Sequence, residues 1–312
     1  MVQDRPLLGI ALMLGFCVLA PFADALAKLL GPSMGVGQLV TLRFVFQVLI
    51  LVPLAMATGR VMRLRGPVLW LVVFRTLLHI AGIGTIFTAL LYLPLADAIA
   101  IAYVMPFIML LLGHWFLGEE VGWRRIGACV VGFVGTLLVL QPAFADVGWP
   151  AILPLIVAFI FAAYMLVTRK IAQATDPIGV QALSGVIALV ILVPIMSIVP
   201  QGTLPALDWT PPDAKSWWLI ATMGLCGTVG HLLMSWSLRY APASTLAPMQ
   251  YLEIPMAALV GYILFSDLPG PLASLGIAIT MAAGVYIVMR ERATAGPDPA
   301  RTAAHPDRSA AE

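Results

Sequence analysis

Charged and titratable side chains stand inside long apolar stretches of this chain: Asp24, Arg43, Arg75, His79, Asp97, His114, His231 and Glu253. At the centre of a bilayer a charge costs about 2.5–3.5 kcal/mol on insertion scales, so such residues face a bundle interior or water. Their chemistry is ion pairing, proton exchange or ligand binding. Glu253, in "MQYLEIPMAAL" (249–259), poses the question most sharply. On a helix it shares a face with Gln250, Ala257 and Gly261, a polar patch continued by small residues. Tyr251 and Pro255 lie about 200° around from it. Pro255 has no N–H for the carbonyl of Tyr251, but Glu253 points away from that gap and does not repair it. Two roles remain for the carboxylate: gluing the bundle, or holding a substrate or a proton.

Other stretches offer matching faces. Arg75, His79 and Gly82 form one stripe; Gly224, Thr228, His231 and Ser235 form another; Cys17, Ala20, Asp24 and Lys28 a third. Each charged residue has a plainer reading as well. Asp24 and Lys28 are spaced for an i,i+4 pair. Arg75 lies about two turns into its segment, within snorkelling reach of the surface. Arg43 lies deeper and suits a structural partnership with an acid. His114 is near a segment end and reads as interfacial. Asp97, in a first turn, suits the helix dipole. His231 is mid-segment, either a packed histidine or a cavity residue. Trp123, Trp149, Trp217 and Trp218 near segment ends read as interfacial anchors.

The elements that must position these residues follow from composition. The 312 residues are 61% hydrophobic and 10% charged, with mean hydropathy +1.00, whereas soluble domains carry about 25% charged residues. Ten apolar segments are marked at about 7–30, 35–57, 68–92, 95–117, 121–141, 149–172, 177–199, 216–239, 243–265 and 270–289. Each suffices for a helix across a hydrocarbon core of about 30 Å. They do not alternate in polarity as barrel strands do, so the backbone must satisfy itself within helices. "FADALA" (22–27) resembles a cleavage site, but the long run before it and its single basic flank, Arg5, favour a retained helix. Cys17, Cys129 and Cys226 are isolated in apolar runs, with no disulfide or metal spacing. A net charge of +2 with no basic cluster gives no reason to expect nucleic acid.

Orientation follows from the basic residues. With the N-terminus in the cytoplasm, Arg5, Arg60, Arg63, Arg65, Arg124, Arg125, Arg169, Lys170, Arg239, Arg290 and Arg292 fall inside. Only Lys28 and Lys215 fall outside, beside Asp146, Asp208, Asp213 and Asp267. The positive-inside rule then places both termini in the cytoplasm. The tail 293–312 is small, polar and proline-containing, and is expected to be disordered. The two halves also echo each other. "LYLPLA" (91–96) returns as "RYAPAS" (239–244); Tyr103 matches Tyr251 and Gly113 matches Gly261 at the same offset of 148. Pro106 matches Pro255, Gly127 matches Gly276 and Gly135 matches Gly284 at 149; "LVP" recurs at 51 and 192. Five helices per copy forces the second copy to enter the membrane inverted, an arrangement found in secondary transporters. The expectation is an all-α integral membrane protein of ten transmembrane helices in two inverted five-helix repeats, 5–142 and 149–292.

"VMPFIMLLLGHWFLGEEVGWRRIGACVVGFVGTLLVLQP" (104–142) resembles the second half of an EamA repeat of the drug/metabolite transporter superfamily, and "IPMAALVGYILFSDLPGPLASLGIAITMAAGVYIVMR" (254–290) resembles a second copy. The pattern is a proline, a glycine-glutamate, then a glycine-rich helix. Two features depart from it: Ser266-Asp267 replaces the glycine-glutamate, and "FADALAKLL" replaces the tryptophan-glycine often seen in the first helix. "TLRF" with "YLPLADAIAIAYVMP" resembles the branch holding S-adenosylmethionine and riboflavin carriers. The resemblance implies alternating-access transport of a small metabolite through a central cavity lined by segments 1, 3, 4, 6, 8 and 9. That brings Asp24, Arg75, His79, Tyr103, Tyr164, His231, Gln250 and Glu253 into play as substrate or proton sites, with Pro106 and Pro255 as gates. It also implies a bacterial-type inner membrane and a monomer or homodimer. No GxxxxGK[ST] or HExxH motif occurs, and the one GxSxG match, GPSMG (31–35), lies between two apolar segments rather than on the strand–turn–helix that motif requires; this argues against ATP hydrolysis and against an enzyme, and no metal or cofactor is implied. A passive channel or scaffold is the alternative; a channel lining would repeat by symmetry, whereas Val104 or Met105 stands where the first half would match Glu253.

Overall fold

In a computed structural model that describes residues 5–62, 64–117, 123–172, 174–241 and 246–294, the backbone is helical throughout its regular elements. Arg63, the Gly118-Glu119 motif and the tail beyond Thr294 lie outside these residues, as do the side chains of Pro106, His114, Arg124, Arg125, Cys129, Arg290 and Arg292. The helices are α1 (Pro6–Leu30), α2 (Val36–Ala57), α3 (Gly66–Leu90), α4 (Leu95–Ala102), α5 (Met105–Leu117), α6 (Trp123–Val147), α7 (Leu153–Ala172), α8 (Pro177–Ile198), α9 (Ala214–Tyr240), α10 (Glu253–Phe265) and α11 (Pro271–Thr294). Short 3-10 turns cover Trp149–Ile152, Pro205–Leu207 and Ala247–Leu252. Among the described residues seven helices are long and apolar enough to cross a membrane, and three shorter stretches are apolar as well.

Two of the expected unbroken segments are broken, and proline chemistry accounts for both. The fourth divides into α4 and α5. Pro106 offers no N–H to the carbonyl of Ala102, and α4 ends at that residue. The ninth begins as the 3-10 turn Ala247–Leu252 and becomes α-helical only at Glu253. Pro255 is then in the first turn, where a missing N–H costs little. Pro255 is exposed and Glu253 buried, the opposition that helical spacing requires.

The bundle shows large apolar side chains on its outside. Trp70, Phe159, Ile198 and Ile263 are each more than 60% exposed, as are Trp123, Trp149 and Trp218, while Trp217 is 44% exposed. Such a surface suits hydrocarbon rather than water. Inside, α1 packs on α9, α2 on α8, α3 on α7, α4 on α10 and α6 on α11. Without a hydrophobic drive between helices in lipid, close contact rests on small residues. Gly135 of α6 and Gly276 of α11 meet backbone to backbone: a Cβ on Gly276 would lie 2.5 Å from the carbonyl oxygen of Gly135. Gly276→Ala is therefore expected to push α6 and α11 apart and destabilise the bundle by about 1–3 kcal/mol. Thermal unfolding in detergent checks this, and an unchanged midpoint would refute the contact.

Side chains tie both ends of the bundle. Asp176 caps α8 through the N–H groups of Ile178 and Gly179, and its carboxylate also meets Arg60 at 2.9 Å and Arg239 at 3.7 Å. At the other end Lys28 donates to the carbonyl of Leu93 at 2.6 Å and sits 3.8 Å from Asp267. Its close acid is thus Asp267 rather than Asp24.

Candidate functional site

A cavity of about 90 Å³ opens inside the bundle. Its wall is built from α1 (Phe16, Ala20, Ala23, Asp24), α2 (Arg43), α3 (Gly82, Ile83, Ile86, Phe87), α4 with its C-cap (Ile99, Ala102, Tyr103), α5 (Met105), α7 (Val157, Ala158, Phe161), α9 (Cys226, Gly227, Gly230, His231) and α10 (Glu253). The wall is mostly aliphatic and aromatic, and its ionisable groups are few. A site of this kind, apolar with sparse polar groups, is the usual form of a small-molecule pocket.

The two proline breaks put Tyr103 and Glu253 face to face. Tyr103 caps α4 at the α4–α5 break, and Glu253 opens α10. The tyrosine hydroxyl donates to the carboxylate at 2.5 Å. Both residues are buried, Tyr103 4% and Glu253 8% exposed. Glu253 therefore has a partner from the other half of the chain and a place in the cavity wall at once. Asp24 also lines the cavity, with no ion pair within 4.0 Å among the described residues.

Arg43 is the charged residue of the cavity wall that was not among the expected substrate or proton sites. Its guanidinium donates to the carbonyl of Gly227 at 3.3 Å and lies 5.4 Å from the Phe44 ring centroid. A Cβ on Gly227 would come within 2.8 Å of Nε, so glycine there makes room for the arginine. The small stripe on α9 was the available signal. Arg43 was expected to pair with an acid; instead its close partner is a carbonyl.

Arg75, His79, Tyr164 and Gln250 stand behind the cavity wall rather than in it. Arg75 is fully buried, so it does not snorkel. It donates to Thr168 (2.7 Å), Tyr164 (2.6 Å), Ser184 (3.1 Å), Gln181 (3.4 Å) and Ser235 (3.4 Å), all neutral, on α7, α8 and α9. His79 is stacked on Tyr164 at 4.8 Å and lies 4.3 Å from His231, with which it bridges this cage to the cavity. Gln250 packs its amide against the sulfurs of Met165 (3.1 Å) and Met13 (3.7 Å). Asp97 sits in the first turn of α4 as its helix-dipole role requires. Among the described residues no group of three or more His, Cys, Asp or Glu is placed to hold a metal ion.

A bundle with an apolar exterior and an internal, sparsely charged cavity defines a multi-pass membrane protein. The chain belongs to the EamA-like transporter family, whose model matches residues 7–141 and again residues 148–290. It is 29% identical to a riboflavin transporter of Rhizobium johnstonii, over 71% of each chain. It is 25% identical to an S-adenosylmethionine uptake transporter of Rickettsia felis, over 92% of this chain and 94% of that one. A riboflavin transporter of Vibrio cholerae is 23% identical over 93% of this chain and 96% of its own. One solved crystal structure, 17% identical, superposes with TM-score 0.65 over 93% of this chain and 98% of its own, a likeness of fold.

Proposed function

We propose that this chain is a secondary-active permease that moves a small metabolite across a bacterial-type inner membrane by alternating access, with proton coupling through Glu253. The observation that carries the proposal is the cavity between the halves. Asp24, Arg43 and Tyr103 come from the first half, and His231 and Glu253 from the second. In this reading 5–142 and 149–292 are inverted five-helix repeats, with α4 and α5 together as one crossing and both termini cytoplasmic. The helix pairing supports it. Exchanging the halves turns the α1–α9 contact into α7–α3, and returns α2–α8, α6–α11 and α4–α10 to themselves. Lys28 and Arg169 lend similar support: each is near the end of its repeat's first helix, and each donates to a carbonyl at or just after the end of a third helix, Leu93 and Leu238. The breaks near Pro106 and Pro255 are the bending points of the gates.

The relatives suggest riboflavin or S-adenosylmethionine as first substrates to try. S-adenosylmethionine has a flat base, a sulfonium and an amino-acid end, and the cavity offers rings, acids and a guanidinium. The test is uptake of each, radiolabelled, into proteoliposomes holding the full chain, with and without a proton gradient. Saturable uptake that the gradient drives uphill is expected, and a crosslink between the α4–α5 break and α10 should stop it. Flux that never saturates would replace the carrier with a passive channel. No flux of any compound in a broad metabolite panel would leave a membrane scaffold.

A further inference from the structure

Within the cavity one polar group is left incomplete. Arg43 is 3% exposed, and its Nη1 has no hydrogen-bond partner among the described residues. An unpaired buried donor carries a desolvation penalty unless something meets it. No acceptor of the cavity wall lies within hydrogen-bond distance of Nη1 among the described residues. Tyr103 holds Glu253. Asp24 lines the same cavity, but among the described residues it is not within ion-pair distance of Arg43. Gly227 clears the space around the guanidinium and takes its other edge. Phe16, Phe161 and His231, which share the wall, are rings that meet one another edge-on or stacked, and His231 Nδ1 is likewise without a partner among the described residues.

We infer that Arg43 is the anion-receiving residue of the cavity and that the ligand presents a carboxylate to it. The planar fork of a guanidinium matches a carboxylate in two parallel hydrogen bonds, which a lysine cannot reproduce. The ligand is not a simple anion, because Asp24 and Glu253 stand in the same wall; a cationic group on the same molecule meets them. This inference rests on the reading of the cavity as the substrate site.

The experiment pairs carboxylates with their decarboxylated counterparts: S-adenosylmethionine with its decarboxylated form, arginine with agmatine, lysine with cadaverine, phenylalanine with phenethylamine. Riboflavin serves as a probe without a carboxylate. Dissociation constants are read from ligand-induced shifts in thermal unfolding of the full chain in detergent. At least one carboxylate is expected to bind the wild type about 10–100-fold more tightly than its partner, the worth of a hydrogen-bonded charge. Arg43→Gln should bind both at the weaker level, and Arg43→Lys should recover only part of the difference. Gly227→Ala displaces the guanidinium without removing its charge, and should cut the discrimination about 10-fold even if Arg43→Gln does not fold. A decarboxylated partner that binds the wild type equally well overturns the inference, as does discrimination that survives in both variants. Binding and saturable proteoliposome uptake of riboflavin alone would overturn it while leaving the carrier intact. No binding and no uptake of any probe would remove the substrate-site reading and this inference with it.

Discussion

Arg75→Leu is expected to unfold at a lower temperature than any single cavity-wall variant, with a loss of about 3 kcal/mol. Two effects of opposite sign decide the outcome. A buried cation without an acid beside it is costly to desolvate, and leucine removes that cost. Against this, the guanidinium joins α3 to α7, α8 and α9 through five acceptors. Thr168 and Ser235 keep bonds to the carbonyls of Tyr164 and His231. Gln181 Oε1, Ser184 Oγ and the Tyr164 hydroxyl lose the arginine as donor. Each orphaned buried group costs about 1–3 kcal/mol, and the volume is filled less well. The cage therefore outweighs the desolvation. Thermal unfolding in detergent of Arg75→Leu beside Arg75→Lys measures the balance. A leucine variant as stable as the wild type would show the opposite weighting, and the arginine would then be kept for something other than stability.

Glu253→Gln is expected to abolish uphill transport while leaving the fold intact. Glutamine retains an acceptor for the Tyr103 hydroxyl, so the contact between the two proline breaks persists as a neutral hydrogen bond. Neutral bonds contribute about 0.5–1.5 kcal/mol and charged ones about 1.5–3, so the loss in stability is about 1 kcal/mol. What glutamine does not have is an ionisable oxygen. Accumulation driven by a proton gradient should be lost, with labelled substrate only equilibrating across the membrane, while exchange of labelled for unlabelled substrate continues. A variant that still accumulates substrate at every pH tested would remove Glu253 from the coupling and leave it as bundle glue. Tyr103→Phe separates the two roles, since it takes away the donor and keeps the carboxylate.

The membrane-spanning character was legible because it depends on composition and run length, which packing does not alter. The paired prolines were legible as well, and so was the opposition of Glu253 to Pro255 around a helix. What the linear chain did not reveal was depth within the bundle. Arg75 and Arg43 both sit mid-helix in apolar text, yet one ends behind the wall and the other in it. The difference depends on which helices lie opposite: Thr168, Gln181, Ser184 and Ser235 surround the first, and Gly227 clears space for the second. None of these lies within a helical turn of its arginine in sequence, so local spacing carried no trace of the pairing. Lys28 shows the same limit. Its i,i+4 neighbour Asp24 was the nearest acid in sequence, but Asp267 from a distant loop is the one beside it.

A cavity inside a membrane is also a potential leak. Asp24 and Glu253 would draw potassium or sodium ions into it, and an ion that passed through would short-circuit the cell's energy supply. The neutral cage around Arg75 bears on this. Because no acid among the described residues lies within ion-pair distance of it, its charge is not neutralised locally. At an effective dielectric of about 20, a unit charge repels another at about 8 Å by roughly 2 kcal/mol. Arg43, in the wall, adds a comparable amount. In the proposed transport path that repulsion would oppose a bare cation, whereas a ligand that brings its own negative group would be spared most of it. The unpaired arginines would then make the proposed path less open to inorganic cations without a mechanical plug.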